Sequence, residues 1–303
     1  MSSKFKSSKL WQSICKNNLN KLNDSNISSF RDIGNINNRI CSWDPTESST
    51  RYFKTLLMRF IWDLEQKSID QNLDMKQFIA NIKNQQLGSP IYINYFDFKI
   101  SLDYALCLEE ILFLNKSMTG VSKILEIGAG FGRTCHALLS NFDEINQYII
   151  CDLPPIINLA KNYLYKVLNE HQFKKIIFIS NEMLESADPV DLTININSFQ
   201  EMESDVINNY IKFIAKKSRA FFCKNPICKY DPNSINLKIK DKNEFEYAMK
   251  LGLCKDIVDI FDPNQLQIAA AKYVALYRPK NFKIERNERS KLWPQHHSVL
   301  YLK

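Results

Sequence analysis

Residues 124–132 read Ile-Leu-Glu-Ile-Gly-Ala-Gly-Phe-Gly and run directly into a helix-forming stretch, Arg133 to Leu139. Three of the chain's seven glycines stand at 128, 130 and 132. In a glycine-poor chain that clustering needs a backbone reason. Without a Cβ the main chain turns sharply and lets a ligand come close. A strand, a glycine turn and a helix N-terminus together make a nucleotide-type cofactor site in an open α/β sheet. The spacing narrows the cofactor. A dinucleotide site of the form G-x-G-x-x-G would place its third glycine at 133, where Arg133 stands instead.

Outward from this stretch, the chain alternates strand and helix signals. Strands are predicted at Lys123–Ile127, Gln147–Cys151, Lys175–Ile179, Asp191–Asn197 and Ala220–Cys223, with helices at Leu153–Leu168 and Asp205–Ala215. Pro154 and Pro155 suit the first turn of the former helix. Residues 225–242 read as a loop and Glu244–Leu251 as a short helix. Ile257–Phe261 and Lys272–Tyr277 are expected to close the sheet as an antiparallel pair. The alternation predicts a mostly parallel sheet with helices on both faces.

Before residue 119 the pattern is helical. Thr50–Gln66 carries Phe53, Leu56, Leu57, Phe60, Ile61 and Leu64 at i, i+3, i+4 spacing, with Ser48 or Ser49 as N-cap. Met75–Gln85 and Ser101–Asn115 read as further helices, the last apolar enough to be well buried. Residues 1–45 are rich in Ser, Asn and Lys and read as a loosely packed arm. The expected organisation is therefore an N-terminal helical cap and substrate region, 1–118, before a cofactor-binding domain, 119–303.

At 303 residues with 45% hydrophobic and 24% charged residues, the chain is of ordinary globular composition. No apolar run approaches the ~20 residues of a membrane span, and Met1–Leu10 lacks the apolar core of a secretory signal. The eight cysteines are scattered, with Cys107, Cys135 and Cys151 in apolar segments, which points to reduced thiols and a cytoplasmic location. Cys223 and Cys228 are the closest pair, but no second pair completes a zinc site, so no metal is predicted. Net charge is +7, concentrated in Lys4 to Lys21 and in Arg278 to Lys291. This suits a solvated surface or an anionic substrate. No nucleic-acid partner is indicated, and a homodimer is one open assembly state.

With its acid included, the motif from Glu126 to Gly132 is E-x-G-x-G-x-G. It resembles motif I of the class I S-adenosylmethionine-dependent methyltransferases. The resemblance implies a Rossmann-like seven-stranded methyltransferase sheet, mostly parallel with an antiparallel last strand, and S-adenosyl-L-methionine as cofactor. Asp152, twenty residues past Gly132 at the next strand end, is placed to accept the ribose hydroxyls, with a helix-capping role compatible. Asp152-Leu153-Pro154 resembles a segment of small-molecule O-methyltransferases. In that family an acid and an apolar neighbour after the third strand hold the adenine, which implies Glu182 and Met183 here. The family's catalytic histidine would fall eighteen residues beyond that acid, at Gln200. Glutamine takes up no proton, so Glu201 is the expected base with Gln200 orienting the substrate.

The strand exit Asn197-Ser198-Phe199-Gln200-Glu201-Met202, with Glu126–Arg133 and Asp152–Pro154, resembles the bacterial sugar O-methyltransferase family over about residues 88–280. It implies methyl transfer to a sugar hydroxyl of a small molecule or glycan. The cofactor set is then Glu126, Gly128, Gly130, Gly132, Asp152, Leu153, Glu182, Met183 and Asn197. Candidate substrate contacts are Tyr92 and Tyr95 in an aromatic stretch suited to stacking on a sugar, Arg133, and the tail residues His296 and His297. His136 reads as a helix residue and His171 as solvent-facing. A non-sugar acceptor and a non-catalytic S-adenosylmethionine-binding protein are the alternatives.

Overall fold

The structure is a computed structural model and describes residues 50–235 and 239–303. The chain divides into two compact units, Met1–Leu56 and Leu57–Lys303. The arm expected at 1–45 and the proposed caps Ser48 and Ser49 lie outside the described residues.

The second unit is organised by a seven-stranded sheet. Its strands are β3 (Lys123–Ile127), β4 (Gln147–Asp152), β5 (Ile176–Ser180), β6 (Val190–Ile196), β7 (Ser218–Pro226), β10 (Lys283–Arg289) and β11 (His296–Leu302). Their order across the sheet is β10-β11-β7-β6-β3-β4-β5. The pairs β7–β6, β6–β3, β3–β4 and β4–β5 are parallel, whereas β11 runs antiparallel to both β7 and β10. This is the methyltransferase-type sheet, with the last strand inserted between its two predecessors in chain order. From β3 the chain builds outward first through β4 and β5, then on the other side through β6 and β7. The order reverses at β3/β6, and the crevice for a ligand in such a sheet opens at that reversal, beyond the carboxyl ends of the strands.

Between the strands lie α4 (Arg133–Asn141), α5 (Pro154–Val167), α7 (Ser204–Lys217), α8 (Lys242–Lys250) and α9 (Pro263–Leu276), with a short α6 (Glu170–Phe173) after α5. One face of the sheet buries Leu125, Ile127, Ile149 and Phe221 against Ile207, Phe213 and Ile214 of α7 and Leu266, Tyr273 and Val274 of α9.

The segment 257–277 departs from expectation. Ile257–Val258 forms a two-stranded parallel pairing (β9) with Lys229–Tyr230 (β8), inside the segment expected to be loop. Residues 263–276 are helical. The signals were present: Asp262 caps Asn264 and Gln265 through its side chain, Pro263 opens the helix, and Leu266, Ala269, Ala270, Tyr273 and Val274 follow helical spacing. The antiparallel pair that closes the sheet is β10 and β11 instead. β10, Lys-Ile-Glu-Arg-Asn-Glu-Arg, does not read as a strand because it is an edge strand carrying charge, which blunts edge-to-edge association.

Upstream, α1 (Thr50–Asp70) buries Leu57, Phe60, Ile61 and Leu64. α2 (Met75–Asn81) is shorter than expected and is capped by Asp74, whose carboxylate accepts from Gln77 N–H at 3.0 Å. The aromatic stretch is a hairpin of β1 (Tyr92–Tyr95) and β2 (Phe98–Ser101), with Phe96 at φ +50° in the turn. It leads into α3 (Leu102–Leu114), which is buried almost all round and takes two carboxylates, Glu109 and Glu110, inside with it.

Candidate active site

The glycine turn is held from behind and open in front. Gly128 N–H donates to the Cys151 carbonyl at 2.9 Å. Gly128 has φ +74°, and a Cβ built there would lie 2.2 Å from Ser198 Oγ. Ser198 is itself fixed, its hydroxyl donating to the Ile127 carbonyl at 3.1 Å. The absent side chain at 128 thus lets the β6 exit close against the β3 exit. Gly132, at φ +90°, lies under Leu164 of α5, whose Cδ1 would be 2.7 Å from a Cβ. Gly130 differs: at φ +58°, nothing stands within 4 Å of where its Cβ would be. The open side of the turn is there.

A cleft of ≈ 470 Å³ opens in front of the turn. Its walls include Gly128, Gly130, Asp152, Leu153, Ser198 and Glu201. Asp152 stands at the end of β4, with Oδ2 accepting from Gly130 N–H at 3.0 Å and Oδ1 from Leu153 N–H at 2.7 Å. Each oxygen keeps a second lone pair for a ligand hydroxyl. From the turn after β5, Asn181 lines the cleft, while Glu182 and Met183 are exposed beside it. Leu153, in the cleft wall, and Met183, two residues past Asn181 in the chain, are both 55% exposed, two large apolar side chains left open to solvent. These residues fit a nucleoside: a carboxylate for hydroxyls, apolar flanks for a base, and an uncovered glycine for close approach.

Glu126 and Asn197 support the cleft without lining it. Glu126 is buried, with its carboxylate accepting from Tyr148 OH at 2.8 Å. Burial raises its pKa to about 7 against the lowering effects of Tyr148, Arg133 and Thr134. Asn197 takes φ +61° at the β6 exit, its N–H donating to the Lys224 carbonyl at 2.8 Å, and its Oδ1 is buried without a partner. Asparagine tolerates this left-handed conformation better than most residues.

A second cavity of ≈ 320 Å³ adjoins the first, and Glu201 lines both. Gln200, Lys229, Gln295 and His296 supply its other polar groups; Tyr230 and Phe245 are among its aromatic walls. Gly252 approaches Gln200 so closely that a Cβ would be 3.4 Å from its Cα and carbonyl oxygen. The contact is pinned by Gly252 N–H to the Met202 carbonyl at 2.8 Å. Burial lowers the His296 pKa to about 4, with Lys224 adding to the effect, so its imidazole is neutral at pH 7. His296 Nδ1 and Gln295 Oε1 are buried and unpartnered.

Other candidates fall elsewhere. His297 points off the opposite side of β11, with Nε2 and Asn287 Oδ1 at 2.9 Å. Tyr95 is buried and Tyr92 half-buried in the β1–β2 hairpin, and neither lines either cavity. Arg133 ion-pairs with Glu110 at 2.6 Å and donates to the Asp103 carbonyl at 3.0 Å. His136 is buried, Nδ1 lying 2.6 Å from Tyr104 OH, and His171 is exposed.

Arg133 belongs to a buried chain of charges that sequence reading missed. Glu110 also meets Lys224 at 2.9 Å; Lys224 meets Glu109 at 2.9 Å. Glu109 accepts in addition from Ser290 Oγ at 2.8 Å and Lys291 N–H at 2.6 Å. Glu109, Glu110 and Lys224 are each under 4% exposed. Desolvation alone would raise the Glu109 pKa, but Lys224 and the donors from Lys291 and Ser290 bring it below the usual value. Adjacent Glu109-Glu110 in an otherwise apolar helix was the available signal: buried carboxylates need cationic partners.

No family model matches the chain, and no curated protein matches it in sequence. Solved structures resemble it at a distance. The methyltransferase domain of bacterial CtHen1 shows 12% identity and a TM-score of 0.45, covering 65% of this chain and 97% of that one. The mitomycin 7-O-methyltransferase MmcR shows 12% identity and a TM-score of 0.44, covering 66% and 57%. An O-methyltransferase family protein from Burkholderia thailandensis shows 9% and 0.41, covering 66% and 59%. Likenesses this distant carry no argument about activity, which rests on the site itself.

Proposed function

We propose that the chain is an S-adenosylmethionine-dependent O-methyltransferase that methylates a hydroxyl of a compact acceptor, in first place a sugar. The observation that carries this reading is Glu201 lining both the glycine-turn cleft and the second cavity. One carboxylate thus borders a nucleoside-shaped site and an adjoining site of single-ring size. Gly128, Gly130, Asp152 and Leu153 would hold the cofactor, with Asn181, Glu182 and Met183 at its base. Glu126, Gly132 and Asn197 keep the turn and strand exits in place. When bound, the cofactor supplies a methyl group already activated on a sulfonium.

What the chain adds is alignment and proton removal. The second cavity holds the acceptor with its hydroxyl towards Glu201, and Gln200, Gln295 and His296 orient it through hydrogen bonds. As the acceptor oxygen took the methyl group and the sulfonium–methyl bond broke, leaving S-adenosylhomocysteine, the hydroxyl proton would pass to the Glu201 carboxylate. A positioned base contributes roughly 10²–10⁴-fold, and alignment of two reactants contributes more. Polar groups set among Tyr230 and Phe245 suit the hydroxyls and the apolar face of a sugar ring. The apolar remainder of the wall (Cys228, Met249, Leu251, Cys254) favours a phenolic acceptor as the second reading. The segment 57–118, with its aromatic hairpin, is proposed as a cap on the substrate side.

The test pairs binding with turnover. S-adenosylhomocysteine should bind wild type and Glu201→Gln alike, while kcat with sugar or phenol panels should fall about 10²-fold or more in the variant. Cofactor binding with no acceptor methylated would favour the non-catalytic alternative. Binding of a nicotinamide dinucleotide in place of S-adenosylhomocysteine would remove the whole reading.

A further inference from the structure

At the opposite end of the sheet from the glycine turn lies a groove of ≈ 600 Å³. Its position follows from topology. Lys212, Ala215 and Lys216 lie in the last two turns of α7, whose final residue Lys217 precedes the first residue of β7. Arg278, Lys280 and Asn281 precede β10, whose Lys283 pairs with Leu302, itself paired with Ala220 near the start of β7. The glycine turn and Ser198 follow the carboxyl ends of β3 and β6, strands parallel to β7.

Four cations line this groove, Lys212, Lys216, Arg278 and Lys280, and no carboxylate does. Among the described residues none of the four makes a hydrogen bond or ion pair, although surface carboxylates elsewhere are paired with lysines or arginines. Lys212 and Lys216 are one helical turn apart, a spacing at which like charges repel. The negative end of α7 favours Lys216 and leaves the other three unexplained. The floor between the cationic arms is apolar, with Ile211, Ala215 and a half-exposed Leu276.

We propose that this groove binds a diphosphate ester: the diphosphate between the α7 lysines and Arg278/Lys280, and the organic group on the Ile211–Leu276 floor. A single phosphate would leave about half or more of the positive charge uncompensated, whereas a diphosphate monoester offsets most of it. The guanidinium of Arg278 suits two phosphoryl oxygens at once. Such a group could come from a nucleoside diphosphate or from a lipid diphosphate. The proposal does not rest on the methyltransferase reading.

Calorimetry on the full chain at low ionic strength tests it, with uridine diphosphate, inorganic pyrophosphate and inorganic phosphate as probes. The expected order of affinity is uridine diphosphate, then pyrophosphate, then phosphate. Lys212→Gln with Arg278→Gln should weaken the first two by about tenfold or more, and S-adenosylhomocysteine binding should be unchanged. Lys280→Gln provides a second, milder variant at an exposed turn. Vesicles bearing a prenyl diphosphate in phosphatidylcholine, against phosphatidylcholine alone, distinguish the lipid source from the free one. Absence of pyrophosphate binding, equal affinity in the variants, or displacement by S-adenosylhomocysteine overturns the proposal. So does binding of a short RNA duplex without binding of either diphosphate.

Discussion

The glycine-turn cleft and the second cavity share Glu201, yet they are made from different kinds of sequence. The cleft is assembled mainly from strand ends and the residues that follow them, each in a contiguous strand-to-helix segment: 127–130 at the end of β3, 151–153 at the end of β4, 181 after β5 and 198–202 after β6, with Ile156 of α5 and Val206 and Tyr210 of α7 beside them. The second cavity gathers a helix face at Phe245, the tight turn at Gly252, Tyr277 beyond α9 and the first residue of β11. The first is a local construction repeated along one sheet edge. The second exists only after the chain has closed on itself. The cleft is thus written in short motifs, while the second cavity depends on the packing of remote segments.

The largest expected effect is on acid unfolding, in which the second cavity takes part through His296. Burial holds His296, which lines that cavity, and His136 and His297, which line neither cavity, at a pKa of about 4. A depressed histidine stabilises the fold fully above its unfolded value of 6.5, and that stability is lost as pH falls towards 4. At 1.4 kcal/mol per tenfold in proton affinity, each contributes a loss of at most about 3 kcal/mol by pH 4. Glu126 acts in the opposite sense. Its raised pKa of about 7 makes the folded state take up a proton as pH falls through 7 towards 4.5, recovering a similar amount. From these four groups the expectation is a loss on the order of a few kcal/mol between pH 6.5 and 4, a large fraction of the stability of a typical domain. Urea unfolding across that range checks it. His296→Gln should remove about a third of the histidine dependence; if it removes none, the acceptor side does not contribute.

The next effect joins the regions. Arg133 follows the glycine turn, Lys224 lies in β7, and Ser290 and Lys291 precede β11; Glu109 and Glu110 of α3 hold all of them. Lys224→Met would leave Glu109 without a cation and Glu110 with Arg133 alone. Breaking a buried pair this way costs about 3–5 kcal/mol, which denaturant unfolding would read. Adding Glu109→Gln should recover more than half of that loss, because the penalty is the stranded charge. If the double variant is no more stable than the single one, the chain of charges is not what ties the two sides together.

The same contrast explains what was legible beforehand. β3 was placed to the residue, and β4, β5, β6 and β7 to within a few, because each is an apolar run bounded by glycine, proline or a polar turn. Asp152, Gly128 and Gly130 line one cleft, and they are legible because a fixed backbone geometry demands those residue types in sequence. The end of α9, Lys272–Leu276, reads as a strand because its alanines and tyrosine carry little contrast between faces, although Asp262 and Pro263 mark a helix start. β10 was missed because an exposed edge strand needs no apolar pattern. Arg133 was read as reaching for substrate, since nothing near it in sequence announces Glu110, twenty-three residues upstream. Gln200, Glu201 and His296 do reach the second cavity, but the rest of its wall has no local signature at all.

The smallest effects test whether the cleft is as local as its sequence. Gly128 and Gly130 both have positive φ, so alanine at either position takes on a strain of about 1 kcal/mol or somewhat more. At 128 the new methyl also meets Ser198 Oγ at 2.2 Å and its Cβ at 2.3 Å, so the hydroxyl leaves its hydrogen bond to the Ile127 carbonyl and the β6 exit itself must shift. Gly128→Ala should therefore lose about 3 kcal/mol in thermal unfolding. Gly130→Ala should lose only about 1 kcal/mol, since no atom stands within reach of its methyl. In binding the comparison favours a larger effect at Gly130, because its methyl would occupy the open side of the turn. S-adenosylhomocysteine affinity should drop about tenfold or more, at least 1.4 kcal/mol. A Gly130→Ala protein that binds S-adenosylhomocysteine as wild type does would mean that the space above Gly130 is not where the ligand lies.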